Sequence, residues 1–174
     1  MNLSLAAQKI KVVILDVDGV LTSGIIGYGT GSDQEIKFFN VKDGSGIKML
    51  QRAGLKVGIL TGRSSMANRR RAEELKLDFI RENCLPKLPS FLELLNDLGV
   101  TAKECLYIGD DLVDWPVMKR VGISVAVADA AAELKEVAML TTHESGGRGA
   151  VREVADWLLK EQNKWKAALD FYEF

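Results

Sequence analysis

The stretch VVILDVDG at residues 12–19 decides the fold, because an apolar run passes there directly into two carboxylates. Residues 12–15 are continuously aliphatic, which is typical of a parallel strand that is covered on both faces. Similar runs follow at 57–60, 105–108 and 123–127, and helical patterns separate them. We therefore predict an α/β fold with a doubly wound, Rossmann-like parallel sheet and right-handed crossovers.

Helices are predicted from the spacing of apolar residues and from start and stop signals between the strands. They span residues 43–53, 64–75, 90–98, 114–121 and 149–162. In the third of these, Ser90 and Glu93 have the spacing of a capping box, and Gly99 is a stop signal.

The composition is that of one globular domain. The 174 residues are 47% hydrophobic and 27% charged, so we predict a single domain over residues 1–174. The formal net charge of −1 offers no positive field for nucleic acid, which we do not expect as a partner. Residues 1–10 lack an export signal, and no apolar run approaches the roughly 18 residues of a membrane span. We expect a cytoplasmic protein that does not bind membranes, with Cys84 and Cys105 as buried free thiols.

Residues 22–40 interrupt the alternation of strands and helices. Segments 24–28 and 35–39 are joined by the turn-rich residues 29–33, which predicts a β-hairpin directly after the first strand. This hairpin is either an ordinary edge structure or a flap over a site, since ligands bind at the carboxyl ends of parallel strands. The pattern alone leaves both interpretations open.

Polar residues follow three of the four predicted strands. Asp16 and Asp18 follow the first, residues 61–63 (TGR) follow the second, and residues 110–114 (DDLVD) follow the third. The carboxylates of Asp16, Asp18 and Asp110 are expected to converge within roughly 4 Å, where each pair would repel by about 4 kcal/mol. A cation is needed there, and a set of oxygen ligands favours Mg²⁺ over Zn²⁺ or copper.

The neighbouring residues suit a phosphoryl group. The Thr61 hydroxyl, the backbone amides around Gly62 and the candidate Lys87 offer the donors that a phosphate needs. Asp16 lies at the strand end and is our choice for a nucleophile that attacks phosphorus. Asp18, two residues later, can protonate the leaving oxygen and then activate water. Together these motifs predict phosphoryl transfer, although each alone is weak.

In these motifs the chain resembles the haloacid dehalogenase (HAD) superfamily of phosphotransferases. DVDG at 16–19, LTGR at 60–63, Lys87 and GDDLVD at 109–114 follow the superfamily's order. The hairpin, the absence of a large cap domain and four further segments resemble the family of 3-deoxy-D-manno-octulosonate 8-phosphate (KDO 8-phosphate) phosphatases. Those segments are VKDG at 41–44, RRRA at 69–72, VAVADA at 125–130 and GGRGAVREV at 146–154.

The resemblance implies a role for each site residue. Asp16 would be the nucleophile and Asp18 the acid–base group, whose backbone carbonyl also binds Mg²⁺. Metal ligands would therefore come from Asp16, Asp18 and Asp110, with Asp111 and Asp114 behind them. Phosphate would be held by Thr61, Gly62 and Lys87, and the sugar acid by Arg63 and Arg71, whose guanidinium groups match a carboxylate.

The implied activity is Mg²⁺-dependent hydrolysis of KDO 8-phosphate through an aspartyl phosphate, in lipopolysaccharide precursor synthesis. A nine-carbon keto sugar acid 9-phosphate is the alternative substrate. A receiver-like signalling domain is a second alternative, which Asp18 opposes because a base beside the nucleophile promotes hydrolysis. A silent scaffold is opposed by the intact carboxylates. Two features depart from the family: Val113 replaces a common Asn, and the context of Lys87 (CLPKLP, 84–89) makes Lys76 the alternative lysine.

The tail at 164–174 has an apolar, helix-like stripe that ends in Phe171, Tyr172 and Phe174. It is expected either to pack on its own subunit or to enter a neighbour. The resemblance favours the neighbour, because these phosphatases form tetramers whose sites are completed by adjacent chains. We predict a homotetramer in which the hairpins cap neighbouring sites. His143, the one histidine in the sequence, is not assigned a role.

Overall fold

The computed structural model describes residues 2–30 and 35–170, and its strands alternate with helices as the sequence predicts. The strands are β1 (Val12–Leu15), β2 (Gly27–Tyr28), β3 (Glu35–Ile36), β4 (Lys56–Leu60), β5 (Phe79–Arg81), β6 (Cys105–Gly109), β7 (Ile123–Ala126) and β8 (Leu140–Thr141). The helices are α1 (Leu3–Ala7), α2 (Val41–Arg52), α3 (Met66–Leu75), α4 (Lys87–Leu98), α5 (Trp115–Met118), α6 (Ala132–Val137), α7 (Ala150–Glu161) and α8 (Trp165–Asp170).

Six strands form a parallel sheet in the order β5-β4-β1-β6-β7-β8. Strands β4 and β5 lie on one side of β1, and β6, β7 and β8 lie on the other side. The strand order therefore reverses between β1 and β6, which is the place where a doubly wound sheet opens a crevice at its carboxyl edge. All four residues of β1 are fully buried, since helices cover both faces. The predicted fold class is confirmed.

Helix α4 begins earlier than the sequence analysis predicts. Its N-cap is Pro86 in an extended conformation (φ −70°, ψ 150°), without a side-chain cap, and Lys87 is its first residue. Ser90 consequently lies inside the helix, so the predicted Ser90–Glu93 capping box is wrong. The fixed φ of a proline sets the entry to the helix instead. The shift matters because it brings Lys87 to the edge of the sheet where β1 ends.

The predicted hairpin is present and short. Strands β2 and β3 pair antiparallel, with Gly27 opposite Ile36 and Tyr28 opposite Glu35. The predicted turn at 29–33 falls partly on residues 31–34, which lie outside the described residues.

The tail packs on its own subunit as far as it is described. Ala168 of α8 is buried, α8 contacts α7, and Lys164 Nζ donates a hydrogen bond to the Ala53 carbonyl at 3.0 Å. Phe171, Tyr172 and Phe174, on which the predicted stripe also depends, lie outside the described residues.

The two thiols are free and buried, as predicted. Among residues 2–30 and 35–170, no helix has the length and apolar character needed to cross a bilayer.

Candidate active site

Three carboxylates meet where β1 and β6 end. Oxygen atoms of Asp16, Asp110 and Asp114 lie within 4.8 Å of one another. Asp16 follows β1 directly, and its amide donates to the Ile108 carbonyl of β6 at 3.1 Å, so the neighbouring strand fixes its position. Like charges at this separation repel by roughly 3.5 kcal/mol per pair at an effective dielectric constant of 20. The cluster therefore needs cations.

Lys87 supplies one positive charge to the cluster. Its Nζ lies 2.8 Å from Asp16 Oδ1 and 2.6 Å from Asp114 Oδ1, and its side chain is 1% exposed. Tyr107, which is fully buried in β6, donates its hydroxyl to Asp114 Oδ1 at 2.6 Å and accepts from Lys87 Nζ at 3.2 Å. The sequence-based choice of Lys87 fits this geometry. The alternative, Lys76, is exposed at the C-cap of α3. The turn after β4 leads into the other end of that helix.

Asp114 is buried behind the other two carboxylates. Its Oδ2 accepts from the amide of Asp110 at 3.0 Å and from the amide of Asp111 at 3.4 Å, while Oδ1 faces Lys87 and Tyr107. This arrangement holds the loop after β6 in place. Asp111 instead caps the next turn, where its Oδ1 accepts from the Leu112 amide at 2.7 Å.

The protonation equilibria of the cluster reflect its excess negative charge. Burial raises the pKa of Asp16 to about 6, against the opposing influence of Lys87. Burial and the charges of Asp16 and Asp114 raise the pKa of Asp110 to about 8. Burial would lower the pKa of Lys87, but Asp16 and Asp114 reverse this and raise it, so Lys87 is protonated. One lysine does not neutralise three carboxylates.

These residues fit a divalent metal ion. Oδ1 of Asp110 is buried without a hydrogen-bond donor, which is costly unless a cation faces it, whereas Oδ1 of Asp16 already faces Lys87 Nζ at 2.8 Å. The donors are all carboxylate oxygens, which suits a hard ion such as Mg²⁺. Asp16 and Asp110 would hold the ion, and Asp114 supports them.

Asp18 lies apart from this cluster, which corrects the expectation that its carboxylate converges with those of Asp16 and Asp110. The Asp18 carboxylate faces Lys37, whose Nζ is 2.7 Å from Oδ1 and 3.0 Å from Oδ2. Lys37 attracts the Asp18 carboxylate, whereas the negatively charged cluster repels it, and Asp114 is the third carboxylate of the cluster. The predicted role of the Asp18 backbone carbonyl as a metal ligand stays a prediction.

Thr61 and Gly62 form the next part of the carboxyl edge. The Thr61 amide donates to the Arg81 carbonyl at 2.9 Å, and its carbonyl accepts from the Cys84 amide at 3.0 Å, so the turn after β4 is held on both sides. Thr61 is buried, and a side chain at Gly62 would meet Leu85 at 2.9 Å. Their assignment to phosphate binding stays a prediction.

The two arginines lie in different surroundings. Arg63 Nε is 3.9 Å from Asp18 Oδ2, and its guanidinium group also pairs with Glu35 of the hairpin. This hydrogen bond lowers the pKa of Glu35. Arg71 donates to the Asn40 carbonyl at 3.1 Å and pairs with Glu74 at 3.0 Å. The structure thus brings Arg63 to Asp18, whereas Arg71 contacts Asn40 and Glu74.

A cleft of about 570 Å³ lies between the hairpin and α3, and Arg71 is part of its wall. It is lined by Glu35, Ile36, Lys37, Phe38 and Phe39 and, from α3, by Met66, Ala67, Arg70, Arg71 and Glu74. Its lining is mainly apolar and includes the charged side chains of Glu35, Lys37, Arg70, Arg71 and Glu74.

Sequence reasoning missed Lys37 and Tyr107. A phenol in an otherwise aliphatic buried strand (CLYIG, 105–109) is a signal, because its hydroxyl needs a partner there. Lys37 carries no such local signal, since its partners come from three separate parts of the chain.

Comparison with known proteins places the chain among characterised enzymes. The family model of haloacid dehalogenase-like hydrolases matches residues 80–154. A 3-deoxy-D-manno-octulosonate 8-phosphate phosphatase from Salmonella typhi is 46% identical over 158 residues, which cover 91% of this chain and 84% of that protein.

Two solved structures share the whole architecture. The phosphatase of the same name from Moraxella catarrhalis, in complex with a magnesium ion, a phosphate ion and a KDO molecule, has a TM-score of 0.94 at 36% identity and covers 98% of each chain. A cobalt-bound deoxy-D-mannose-octulosonate 8-phosphate phosphatase from Haemophilus influenzae has a TM-score of 0.91 at 40% identity, covering 97% of this chain and 99% of that one.

Proposed function

Because the chain belongs to the 3-deoxy-D-manno-octulosonate 8-phosphate phosphatase family of haloacid dehalogenase-like hydrolases, we propose that it hydrolyses this sugar phosphate to the free sugar acid and phosphate. The enzyme is a phosphomonoester hydrolase. The observation that supports the substrate best is the combination of a buried acid cluster that contains Lys87 with Arg63, which lies 3.9 Å from Asp18.

The proposed reaction has two steps. In the first, a carboxylate oxygen of Asp16 forms a bond to phosphorus while the bond from phosphorus to the sugar oxygen breaks, and Asp18 gives that oxygen a proton. In the second, Asp18 takes a proton from water, whose oxygen attacks phosphorus and releases phosphate from Asp16. The positions agree with these roles, since Asp16 is buried at the strand end and Asp18 lies to the side of the cluster.

Lys87 has a defined task in this scheme. Its ammonium group lies 2.8 Å from Asp16 Oδ1, so it holds the nucleophile deprotonated and can offset charge on a bound phosphoryl group. Tyr107 and Asp114 keep this ammonium group in place. When bound, Mg²⁺ would offset the charge of the carboxylates and of the dianionic ester. Asp16 and Asp110, with the Asp18 backbone, would hold it.

Substrate choice is proposed to depend on Arg63 and Arg71. A guanidinium group pairs well with the carboxylate of a sugar acid. Of these two arginines, Arg63 is the one in contact with Asp18. The nine-carbon keto sugar acid 9-phosphate is the alternative substrate. We also propose that the enzyme acts in the cytoplasm in lipopolysaccharide precursor synthesis, as a homotetramer whose hairpins cap neighbouring sites.

Phosphate release tests the proposal. The wild-type enzyme is assayed with the eight- and nine-carbon sugar acid phosphates and with p-nitrophenyl phosphate, in Mg²⁺ and in excess chelator. We expect the highest kcat/KM with the eight-carbon substrate, and no turnover with chelator or with Asp16→Asn. Full activity in chelator would refute the metal requirement, and preference for the nine-carbon compound would select the alternative substrate.

A further inference from the structure

Lys37 is a buried cation on the hairpin and has no role in the reaction described so far. The residue is 8% exposed, and its side chain is 0% exposed. A buried lysine persists only where acceptors surround its ammonium group. The identity of those acceptors therefore indicates what the residue does.

The acceptors come from three separate parts of the chain. Nζ lies 2.7 and 3.0 Å from the two carboxylate oxygens of Asp18, which follows β1. It donates to Asn68 Oδ1 in α3 at 3.1 Å, and Glu35 Oε2 of the hairpin lies 3.6 Å away. Lys37 thus donates hydrogen bonds to Asp18 and Asn68 and forms ion pairs with Asp18 and Glu35. Together with the burial, these contacts direct its ammonium group to Asp18.

Asn68 is in turn fixed by its own surroundings. It is 2% exposed, and its Nδ2 lies 3.5 Å from the Arg63 carbonyl and 3.5 Å from Glu82 Oε1. The Asn68 side chain, which accepts from Lys37, is thus held by hydrogen bonds to the turn after β4. Through its contacts with Asn68 and with the Asp18 carboxylate, Lys37 connects the hairpin to the turn after β4 and to the loop after β1.

We propose that Lys37 is a positioning residue that holds the Asp18 carboxylate to the side of the acid cluster, anchored by Asn68. The proposal rests on the function proposed above, in which Asp18 is the acid–base group. Without Lys37, the Asp18 carboxylate loses the ammonium group that fixes it and is free to rotate away from the leaving oxygen. Because Lys37 belongs to the hairpin, the hairpin then positions Asp18 in addition to its proposed role as a cover of the site.

The test compares Lys37→Met with Lys56→Met, which removes an equal charge from the exposed start of β4 at the opposite edge of the sheet. Because misplacing a catalytic group costs up to about 100-fold in rate, we expect Lys37→Met to lower kcat by about 10- to 100-fold. KM should change by less than about threefold, because the Lys37 ammonium group is already held by Asp18 and Asn68. Lys56→Met should behave as the wild type, and Lys37→Arg should recover part of the rate.

A double-mutant cycle separates positioning from general stabilisation. In the Asp18→Asn background, Lys37→Met should lower the remaining rate by less than about threefold, because Lys37 acts only through Asp18. A full 10- to 100-fold loss in that background would overturn the proposal, as would a change confined to KM. If Lys37→Met does not fold, Asn68→Ala carries the same cycle, with a smaller expected loss of kcat that again disappears with Asp18→Asn.

The outcomes also distinguish this proposal from the proposed function. A wild-type enzyme that releases no phosphate from any sugar phosphate refutes the function. An active wild type in which Lys37→Met equals Lys56→Met refutes the positioning role alone.

Discussion

Gly19 ends the DVDG motif because of a steric requirement. Its φ of +92° disfavours other residues, and a Cβ at this position would overlap the Asp110 carboxylate. The backbone at Gly19 therefore packs directly against Asp110, a proposed metal ligand.

Gly19→Ala tests this contact. We expect loss of Mg²⁺ binding and of nearly all activity, because the added methyl group displaces Asp110. Gly54→Ala is the matched control, since Gly54 has a similar φ of +84° and open space around its Cβ position. That control should lose only about 1 kcal/mol of stability and keep its activity. Calorimetric Mg²⁺ titration decides the matter, and equal Mg²⁺ affinity in the two variants would contradict the prediction.

The raised pKa values predict how pH and Mg²⁺ act together on stability. Asp16 and Asp110 have folded-state pKa values of about 6 and about 8, above the ordinary 3.8. In chelator, the stability that their protonation contributes is present at low pH and is lost as pH rises through 6 and 8. Mg²⁺ binds the deprotonated groups, so its stabilising effect should grow over the same range.

Thermal unfolding checks this prediction. Between pH 6 and pH 8.5 we expect the melting temperature in chelator to fall and the shift caused by Mg²⁺ to increase. A difference of about 1 kcal/mol moves the midpoint by roughly 2–4 °C in a protein of this size. Asp110→Asn should flatten both dependences. A Mg²⁺ shift that stays constant or shrinks with pH would contradict the assignment of Asp110.

At the residue scale, sequence patterns identified the groups whose position depends on a strand end. Asp16, Thr61 and Asp110 each follow an apolar run, and parallel strands bring such ends to one edge. The same reasoning failed for the Asp18 carboxylate and for Lys37. Their pairing depends on where the hairpin returns in space, which no local pattern specifies.

At the scale of elements, Asp43 serves a helix other than its own. The sequence analysis starts a helix at Asp43, whereas α2 begins at Val41, with Asn40 as N-cap accepting from the Lys42 amide at 2.8 Å. Asp43 is 1% exposed, and its Oδ1 accepts from the Arg152 amide in the first turn of α7 at 2.9 Å. Helix α7 has no side-chain cap at its own N-cap, Gly149. Asp43 therefore caps α7 from α2.

Asp43→Ala should consequently destabilise the protein. We expect the free energy of unfolding to fall by about 1–3 kcal/mol, because buried amides of α7 lose their acceptor. Denaturant unfolding measures the loss. Asp156→Ala, which breaks only the partly exposed ion pair with Arg152 on α7, should cost less than about 0.5 kcal/mol. Equal losses for the two variants would argue against the capping role.

Short elements escaped prediction for a physical reason. Strands β5 and β8 have three and two residues, too few to show a period, and their pairing with β4 and β7 stabilises them. The start of α4 was misplaced because Ser90 and Glu93 satisfy the capping pattern inside a helix that Pro86 already begins. Long apolar strands such as β1 and β6 were predicted correctly, since burial on both faces leaves a continuous pattern.

At the scale of the whole molecule, the core is continuous. A cluster of buried apolar residues extends from Ala7 to Ala168, so we propose that residues 1–174 form one domain, with the hairpin at 22–40 as its flap. The surface is less uniform. Large apolar side chains are exposed on and beside the hairpin, namely Ile25, Tyr28, Ile36, Phe38, Val41 and Met66. We propose that a partner covers this group of side chains, since exposed apolar patches are typical of interaction surfaces.

The packing of α8 limits how much of the tail can be removed in an experiment on assembly. Helix α8 packs on α7 of its own subunit, so removing residues 164–174 would also expose core surface around Ala168. Removing only residues 171–174 leaves the contact between α8 and α7 in place. A changed KM or product release in that variant, with unchanged assembly, would support entry of the tail into a neighbouring site.

The proposed homotetramer depends on the hairpin, and light scattering with purified variants tests it. The wild type should have about four times the 19.1 kDa mass of one chain. The double variant Ile25→Ser, Phe38→Ser should dissociate, because these side chains are 71% and 76% exposed in a single subunit and need a neighbour to cover them. Its kcat should fall as well, since the cleft loses its cover and water enters. Leu5→Ser, which alters a 63% exposed leucine on α1, is the control and should remain tetrameric. A fully active monomer would refute capping by a neighbouring subunit while leaving the chemistry of Asp16 and Asp18 untouched.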